Sequence, residues 1–289
     1  MAQSLSDRTI KIVVPYSAGG GNDSFARALQ KPLEEILDTS VTIQNIAGGG
    51  GVVGYTQLLA ARPDGFTVTI PNNAIFTLQG MGNATFEYDD FDYIARVTAE
   101  PYVLTSNPNL GWEGLDDVAV ADGPVKIGFP GVGSSAHIMA VAIVESLGVE
   151  AQMVPYGGDA DALAAAMGGH IDAVVSAPIA VASAVESGQL AGLGTTGESA
   201  LLDGVRTFAD QGFDVTTLQW RGVAAPSGLD DDIRQQWVDA LQAALDDPDF
   251  QQVMTNLGAD VAPLYGDELD AFVERTAADM VPLAQRLRQ

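Results

Sequence analysis

The sequence predicts an α/β protein made of two units, each a parallel sheet with helices on both faces. Three observations predict it. Short β-branched runs alternate with longer segments whose apolar residues recur at helical spacing, the pattern of strand–helix–strand crossovers. That rhythm breaks between residues 80 and 92 and then resumes, which divides it into two units. The chain has 289 residues, and a domain takes about 100–200, so each unit can bury its own core.

The elements follow in order. Residues 9–14 are short and β-branched, a buried strand. Residues 22–37 form a helix on the spacing of Phe25, Leu29, Leu33, Ile36 and Leu37; Asn22 or Asp23 can cap it, and Pro32 is expected to kink or interrupt it. A strand at 41–45, a helix at 52–61 and a strand at 66–70 continue the alternation, and 102–106 is a strand leaving the first unit. The second unit alternates strands at 126–129, 151–154, 173–176 and 190–195 with helices at 134–147, 159–167 and 178–187. Residues 219–224 are a second crossing strand, followed by helices at 230–245, 248–257 and 267–287, with Pro248 at a favoured first helical position. The two crossings place residues 1–104 and 221–289 in one lobe and 105–220 in the other. Ligands of open α/β sheets sit beyond the carboxyl ends of the strands; in a two-lobed chain those ends are expected to face each other across a cleft.

Composition narrows the function. Thirteen basic residues stand against 38 acidic ones, a net charge of −25, which opposes nucleic-acid binding. The acids are scattered, as on a solvated surface, and salt would relieve their mutual repulsion. A high-salt source is the corresponding hypothesis, and stability that fails to rise with salt would refute it. There is no cysteine, hence no disulfide and no thiolate metal site. The only histidines, His137 and His170, lie far apart, so no transition metal is expected; no EF-hand pattern occurs, which leaves a calcium site built from other carboxylates as an open alternative, and no metal ligand is assigned. No apolar run is long enough to cross a bilayer. Residues 1–7 lack the basic flank and apolar run of a signal peptide, as in the mature form of an exported protein.

Three glycine-rich strand-to-helix turns carry the chemistry: residues 15–23, 45–51 and 130–137. Glycine lets backbone approach a ligand, and the following helix offers unpaired N–H groups and a positive dipole end, so an anion site can form without lysine or arginine. The candidate ligand contacts are Tyr16, Ser17, Ala18, Gly19, Gly20, Gly21 and Asn22 on the first turn, with Asn73 nearby. On the second unit they are Gly133, Ser134, Ser135 and His137, the turn residues Tyr156, Gly158 and Asp159, and Pro178. Ser134 doubles as a helix cap, and Asp23 with Arg27 has the spacing of a helix salt bridge. Arg221, at the return crossing, either pairs with an acid or faces the cleft.

A nucleotide enzyme is the rival. Gly49, Gly51 and Gly54 match the dinucleotide spacing, and Gly131, Gly133 and Ala136 its relaxed form, but the ribose-binding acid is missing after both. An esterase is opposed by the lack of a Gly-x-Ser-x-Gly elbow around Ser134 and Ser135. A binding protein without catalytic activity or cofactor is the better expectation.

The chain resembles the extracytoplasmic (Bug-type) solute-binding proteins of tripartite tricarboxylate transporters. The resemblance rests on the segment from Val13 to Tyr16 with Gly19, Gly20, Gly21, Asp23 and Arg27; on Asn45 and the glycines to Gly51; and on Pro63, Asp64, Gly65 and Phe66. It continues through Gly133 to His137, Val154 to Tyr156, Gly168 to Asp172, Trp220 to Gly222, and Ala225 with Pro226. It implies a type II periplasmic-binding fold, two Rossmann-like lobes with a ligand cleft between them. It also implies a periplasmic or extracytoplasmic location and a monomeric receptor. Such a receptor captures a small di- or tricarboxylate or aromatic acid and delivers it to membrane permease subunits. The chain departs from the family pattern at Ile46 and Ala47, where Arg-Pro is usual, at Asn22, where threonine is common, and at the Tyr156–Asp159 turn, which commonly holds a lysine. Signalling without transport remains an alternative role.

Overall fold

The computed structural model describes residues 4–132 and 134–288. The chain divides into two compact units, one formed by the segments up to Ala99 and from Trp220 onward, the other by Glu100–Gln219.

The first unit opens with β1 (Ile10–Val14), whose β-branched residues are all buried while Lys11 is exposed. Then come α1 (Gly21–Leu37), β2 (Val41–Asn45), α2 (Val52–Leu59), β3 (Thr67–Thr69), α3 (Ala74–Gly80) and β4 (Phe91–Glu100). The second unit holds β5 (Val103–Ser106), α4 (Leu115–Ala119), β6 (Val125–Pro130), α5 (Ser135–Leu147), β7 (Ala151–Tyr156), α6 (Asp159–Met167), β8 (Ala173–Ser176), α7 (Pro178–Glu186) and β9 (Ala191–Thr195). The chain returns through β10 (Gln219–Pro226) and ends with α8 (Asp231–Leu245), α9 (Pro248–Asn256), β11 (Asp260–Leu264) and α10 (Gly266–Arg286).

Each unit is built on its own sheet, and each sheet is mixed where the sequence predicts parallel strands. The first has six strands in the order β11-β4-β10-β3-β1-β2. β1 runs parallel to β2 and β3, whereas β10 runs antiparallel to β3 and β11 to β4. The second has five strands in the order β7-β6-β8-β5-β9. Here β6 is parallel to β7 and β8, and β5 is antiparallel to both β8 and β9. The crossing segments join the sheets as strands of reversed direction, which periodicity does not encode.

Alternation places the cores. On β5 and β8, Leu104, Ala173 and Val175 join Ile127, Phe129 and the α5 residues Met139 and Ile143 in one cluster. Their neighbours Val103 and Val174 join Ala162 and Ala166 of α6 and Val181 of α7 in another, on the opposite face. In the first unit Ile10, Ile12 and Val14 pack with Phe25 and Leu29 of α1 and with Trp237 and Leu241 of α8. Trp237 also donates from Nε1 to the Gly65 carbonyl at 3.0 Å.

Several expectations are corrected. The boundary falls after Ala99, not after residue 104, because all four residues of β5 ladder with β8 and β9 of the second sheet. The return falls at Trp220. Pro32 does not interrupt α1: the proline is buried, and packing of that turn against α8 and α9 outweighs one missing backbone hydrogen bond. β4, β11, α3 and α4 have no counterpart in the sequence-based expectation. β4 is covered on both faces, so it shows no alternation, and its Arg96 interrupts the apolar run. That arginine lies over the Phe272 ring at 4.6 Å and donates to the Ala262 carbonyl; burial pushes its pKa down.

Candidate functional site

In the first unit β1, β2 and β3 are parallel, so the loops that follow them emerge at one sheet edge. β10 runs the other way, with Ala224 opposite Thr69, so its early residue Arg221 reaches the same edge.

The first loop is braced from below. Ser17 to Gly20 are exposed, and Gly20 sits at the N-cap of α1 with no side chain to cap it. The capping role foreseen for Asn22 or Asp23 is therefore not taken up, because the helix starts before them. Gly19, at φ +86°, turns its amide onto Asp23 Oδ2 at 2.8 Å. Arg27 Nε donates to the same oxygen at 2.9 Å, and Asn45 Nδ2 donates to Asp23 Oδ1 at 3.0 Å and to the Tyr16 carbonyl at 3.2 Å. Burial alone would raise the Asp23 pKa. The hydrogen bonds from Arg27, the Gly19 amide and Asn45, with the charge of Arg27, carry it below the ordinary carboxylate value. The carboxylate is thus spent on loop geometry, and the first-turn amides of α1 are left to the exposed side.

Asn72, absent from the sequence-based candidates, links three of these pieces. Its Oδ1 accepts from the Tyr16 hydroxyl at 3.1 Å and from the Ala74 amide at 2.8 Å, and its Nδ2 donates to Asn22 Oδ1 at 3.4 Å. Asn73, the predicted residue, is buried at the start of α3. Burial raises the Tyr16 pKa, opposed by hydrogen bonds with Tyr55 and Asn72 and by the charge of Arg221. Either asparagine fits an Asn-Asn pair after a strand; only the fold selects which side chain reaches the loop.

The second glycine loop is a turn and packing device. Gly48, Gly49, Gly50 and Gly51 all have positive φ, between 58° and 145°. A Cβ on Gly54 would stand 2.6 Å from Pro15 Cα and 2.8 Å from the Ile46 carbonyl oxygen, so this glycine seats α2 against β1. The dinucleotide-like spacing is accounted for by backbone conformation and close packing.

In the second unit β6, β7 and β8 are parallel and deliver their loops to one edge. Gly133 lies outside the described residues. Ser134 is the N-cap of α5, its Oγ accepting from the His137 amide at 3.1 Å, and Ser135 opens the helix half-buried. His137 is 9% exposed and stacks on Phe129, with centroids 4.2 Å apart and an interplanar angle of 12°; burial lowers its pKa, which favours the neutral ring. Tyr156 ends β7 half-buried, packed on the α6 and α7 side of the sheet. Gly158 is the N-cap of α6, a position with no side-chain hydrogen bond. Asp159 accepts a hydrogen bond from Ser176 Oγ, which ties α6 to the end of β8. Pro178 opens α7 and is buried. The predicted residues thus gather into two sets, one at the carboxyl edge of each sheet.

Comparison with known proteins agrees with this architecture. A family model described as the tripartite tricarboxylate transporter family receptor matches residues 25–288. The UPF0065 protein in the gbd 5' region of Cupriavidus necator is 28% identical over 271 residues, covering 91% of this chain and 82% of that one. The crystal structure of a TctC solute-binding protein from Polaromonas, with no ligand, has a TM-score of 0.91 at 25% identity, over 98% of this chain and 100% of that one. Two Rhodopseudomonas palustris structures share the fold. One, with adipate, has a TM-score of 0.75 at 22% identity over 98% of each chain. The other, MatC with bound malate, has a TM-score of 0.72 at 23% identity over 96% of this chain and 99% of that one. With the matched residues spanning nearly all of the sequence, the chain belongs to the tripartite tricarboxylate transporter receptor family of solute-binding proteins.

Proposed function

We propose that this receptor captures a small organic carboxylate outside the cytoplasmic membrane and delivers it to the permease subunits of a tripartite transporter. One observation carries the reading. The 17-residue helix α1 begins at an uncapped N-terminus beneath an exposed glycine loop, while the acid of its first turn is held by Arg27, Gly19 and Asn45. Such an end attracts an anion through its amides and its dipole. Malate and adipate, the ligands of the two Rhodopseudomonas structures, are dicarboxylates and support the same class. In this reading the Tyr16–Asn22 loop takes one carboxylate, and the Ser134, Ser135 and Tyr156–Asp159 loops engage it as the lobes close at the two chain crossings. Local amides overcome the repulsion of a chain of net charge −25, and added salt helps by screening it.

The test is native mass spectrometry of the purified protein, followed by thermal shift and calorimetry against malate, adipate, citrate and benzoate. A ligand that binds only the folded state raises the melting temperature, by the equivalent of about 2.7 kcal/mol at a hundred times Kd. A shift with at least one acid is expected. A response to nucleotides alone would replace this reading with the enzyme one.

A further inference from the structure

The second unit is nearly without cations. Lys126 and Arg206 are the only lysine and arginine between Glu100 and Gln219. Lys126 is the second residue of β6, four residues and roughly 13 Å before the carboxyl end of that strand. Arg206 donates to Gln211 Oε1 at 3.2 Å, and Gln211 Nε2 donates to the Leu193 carbonyl of β9. β9 is an outer strand of its sheet, three strands from β6 and two from β8. Neither charge belongs to the edge where the loops after β6, β7 and β8 emerge.

That edge carries acid and hydrocarbon instead. Asp159 accepts from the Ser176 hydroxyl, whose residue is 1% exposed, and this bond holds the carboxylate at the edge. Asp161 shares the first turn of α6. Ser134 caps α5, and α7 opens with Pro178, which has no N–H to offer. A second carboxylate arriving here would meet like charge with no cation to balance it. Val132, between β6 and α5, is 71% exposed, and Ile179, the second residue of α7, is 47% exposed. They follow β6 and β8, which pair directly in the sheet. Apolar side chains at such positions gain when hydrocarbon covers them.

We propose that the ligand is a monocarboxylate. Its acid group is taken by the first unit, and the end that reaches the second unit is hydrocarbon or hydroxyl and covers Val132 and Ile179. Asp159 is the specificity-determining residue that turns away a second carboxylate. This rests on the carboxylate-receptor reading above and names its substrate class.

Calorimetry on the full chain tests it with matched pairs: butanoate and succinate, hexanoate and adipate, benzoate and its para-dicarboxylate. In the pair that binds best, the monoacid is expected to bind about ten-fold tighter than the diacid or more, the effect of a like charge in the contact. Asp159→Asn keeps an acceptor for Ser176 and removes the charge. It should strengthen the diacid by about ten-fold and leave the monoacid nearly unchanged. A residue that only ties α6 to β8 would not move that ratio. Val132→Lys, at an exposed position, supplies a cation in place of hydrocarbon and should shift the ratio the same way. It carries the test if Asp159→Asn melts well below the wild type. A diacid that matches or exceeds its monoacid in that pair overturns the assignment while the receptor reading stands. So does binding of malate or citrate alone, or an unchanged ratio in a variant that melts with the wild type. Absence of carboxylate binding by the wild type overturns both.

Discussion

The carboxyl edges of the two sheets are made from similar loops but treat their helix ends differently. In the first unit α1 starts at a bare glycine, and Arg221 lies against it. In the second unit the Ser134 hydroxyl caps α5, whereas α6, like α1, starts at a glycine with no side-chain cap and carries acids, Asp159 and Asp161, in its first turn. The difference lies at α5, whose end a hydroxyl satisfies, where the end of α1 has backbone alone. In the proposed receptor role, fixing an anion falls to the first edge, and hydroxyl recognition to the second.

Four experiments would break or sharpen this contrast. The largest effect is expected from glycines whose roles differ between the edges. Gly54→Val forces side-chain atoms into the Pro15 and Ile46 backbone and should cost about 3 kcal/mol or more in denaturant unfolding. Gly158→Ala, in extended backbone with open space around the added carbon, should stay within about 0.5 kcal/mol. A small loss at Gly54 would mean that α2 is not seated as described.

Next is the brace beneath the first loop. Asp23→Ala leaves the Gly19 amide and the Asn45 side chain without their acceptor and should cost about 2–3 kcal/mol, little of it from the half-exposed Arg27 pair. The folded pKa of Asp23 is depressed, so its stabilisation is complete above the ordinary carboxylate range near ~3.9 and is lost as pH falls through the lower folded value. Wild type and variant should therefore converge in melting temperature at strongly acid pH. A constant gap would contradict the brace.

Ser134→Ala removes the second unit's cap and should cost about 1 kcal/mol. If carboxylate affinity falls far more than stability, the serine meets the ligand as well as its helix. The finest effect is a pH slope. Burial lowers the His137 pKa, so the folded state resists protonation. Stability is then full above the unfolded imidazole range near ~6.5 and declines as pH drops through it toward the lower folded value. His137→Gln should flatten that decline relative to wild type, while Asp23→Ala should leave it in place, which separates the two edges by pH.

Much of this protein was legible before its fold. Short β-branched runs marked most of the strands, because burial on a sheet selects such residues. The glycine loops at residues 15–23 and 130–137 were visible because positive φ and close approach demand glycine, as at Gly19 and Gly131. The Asp23–Arg27 pair and the Ser134 cap are local in sequence and were found there. Other elements were not: β4, covered on both faces, lacks alternation, and β11 and the short helix α4 carry too little pattern to stand out.

What the sequence determined by itself was the class of the chain, its division in two, and the glycine-rich loops at the sheet edges, because these depend on spacing and backbone freedom along a continuous segment. The tertiary structure alone decided which strands run backward, which asparagine of a pair meets Tyr16, and that Arg221 rests on the first turn of α1. Arg221 lies two hundred residues from Gly21 along the chain. Only the antiparallel pairing of β10 with β3 brings its charge to the glycine loop, and no local pattern records a pairing made at that distance.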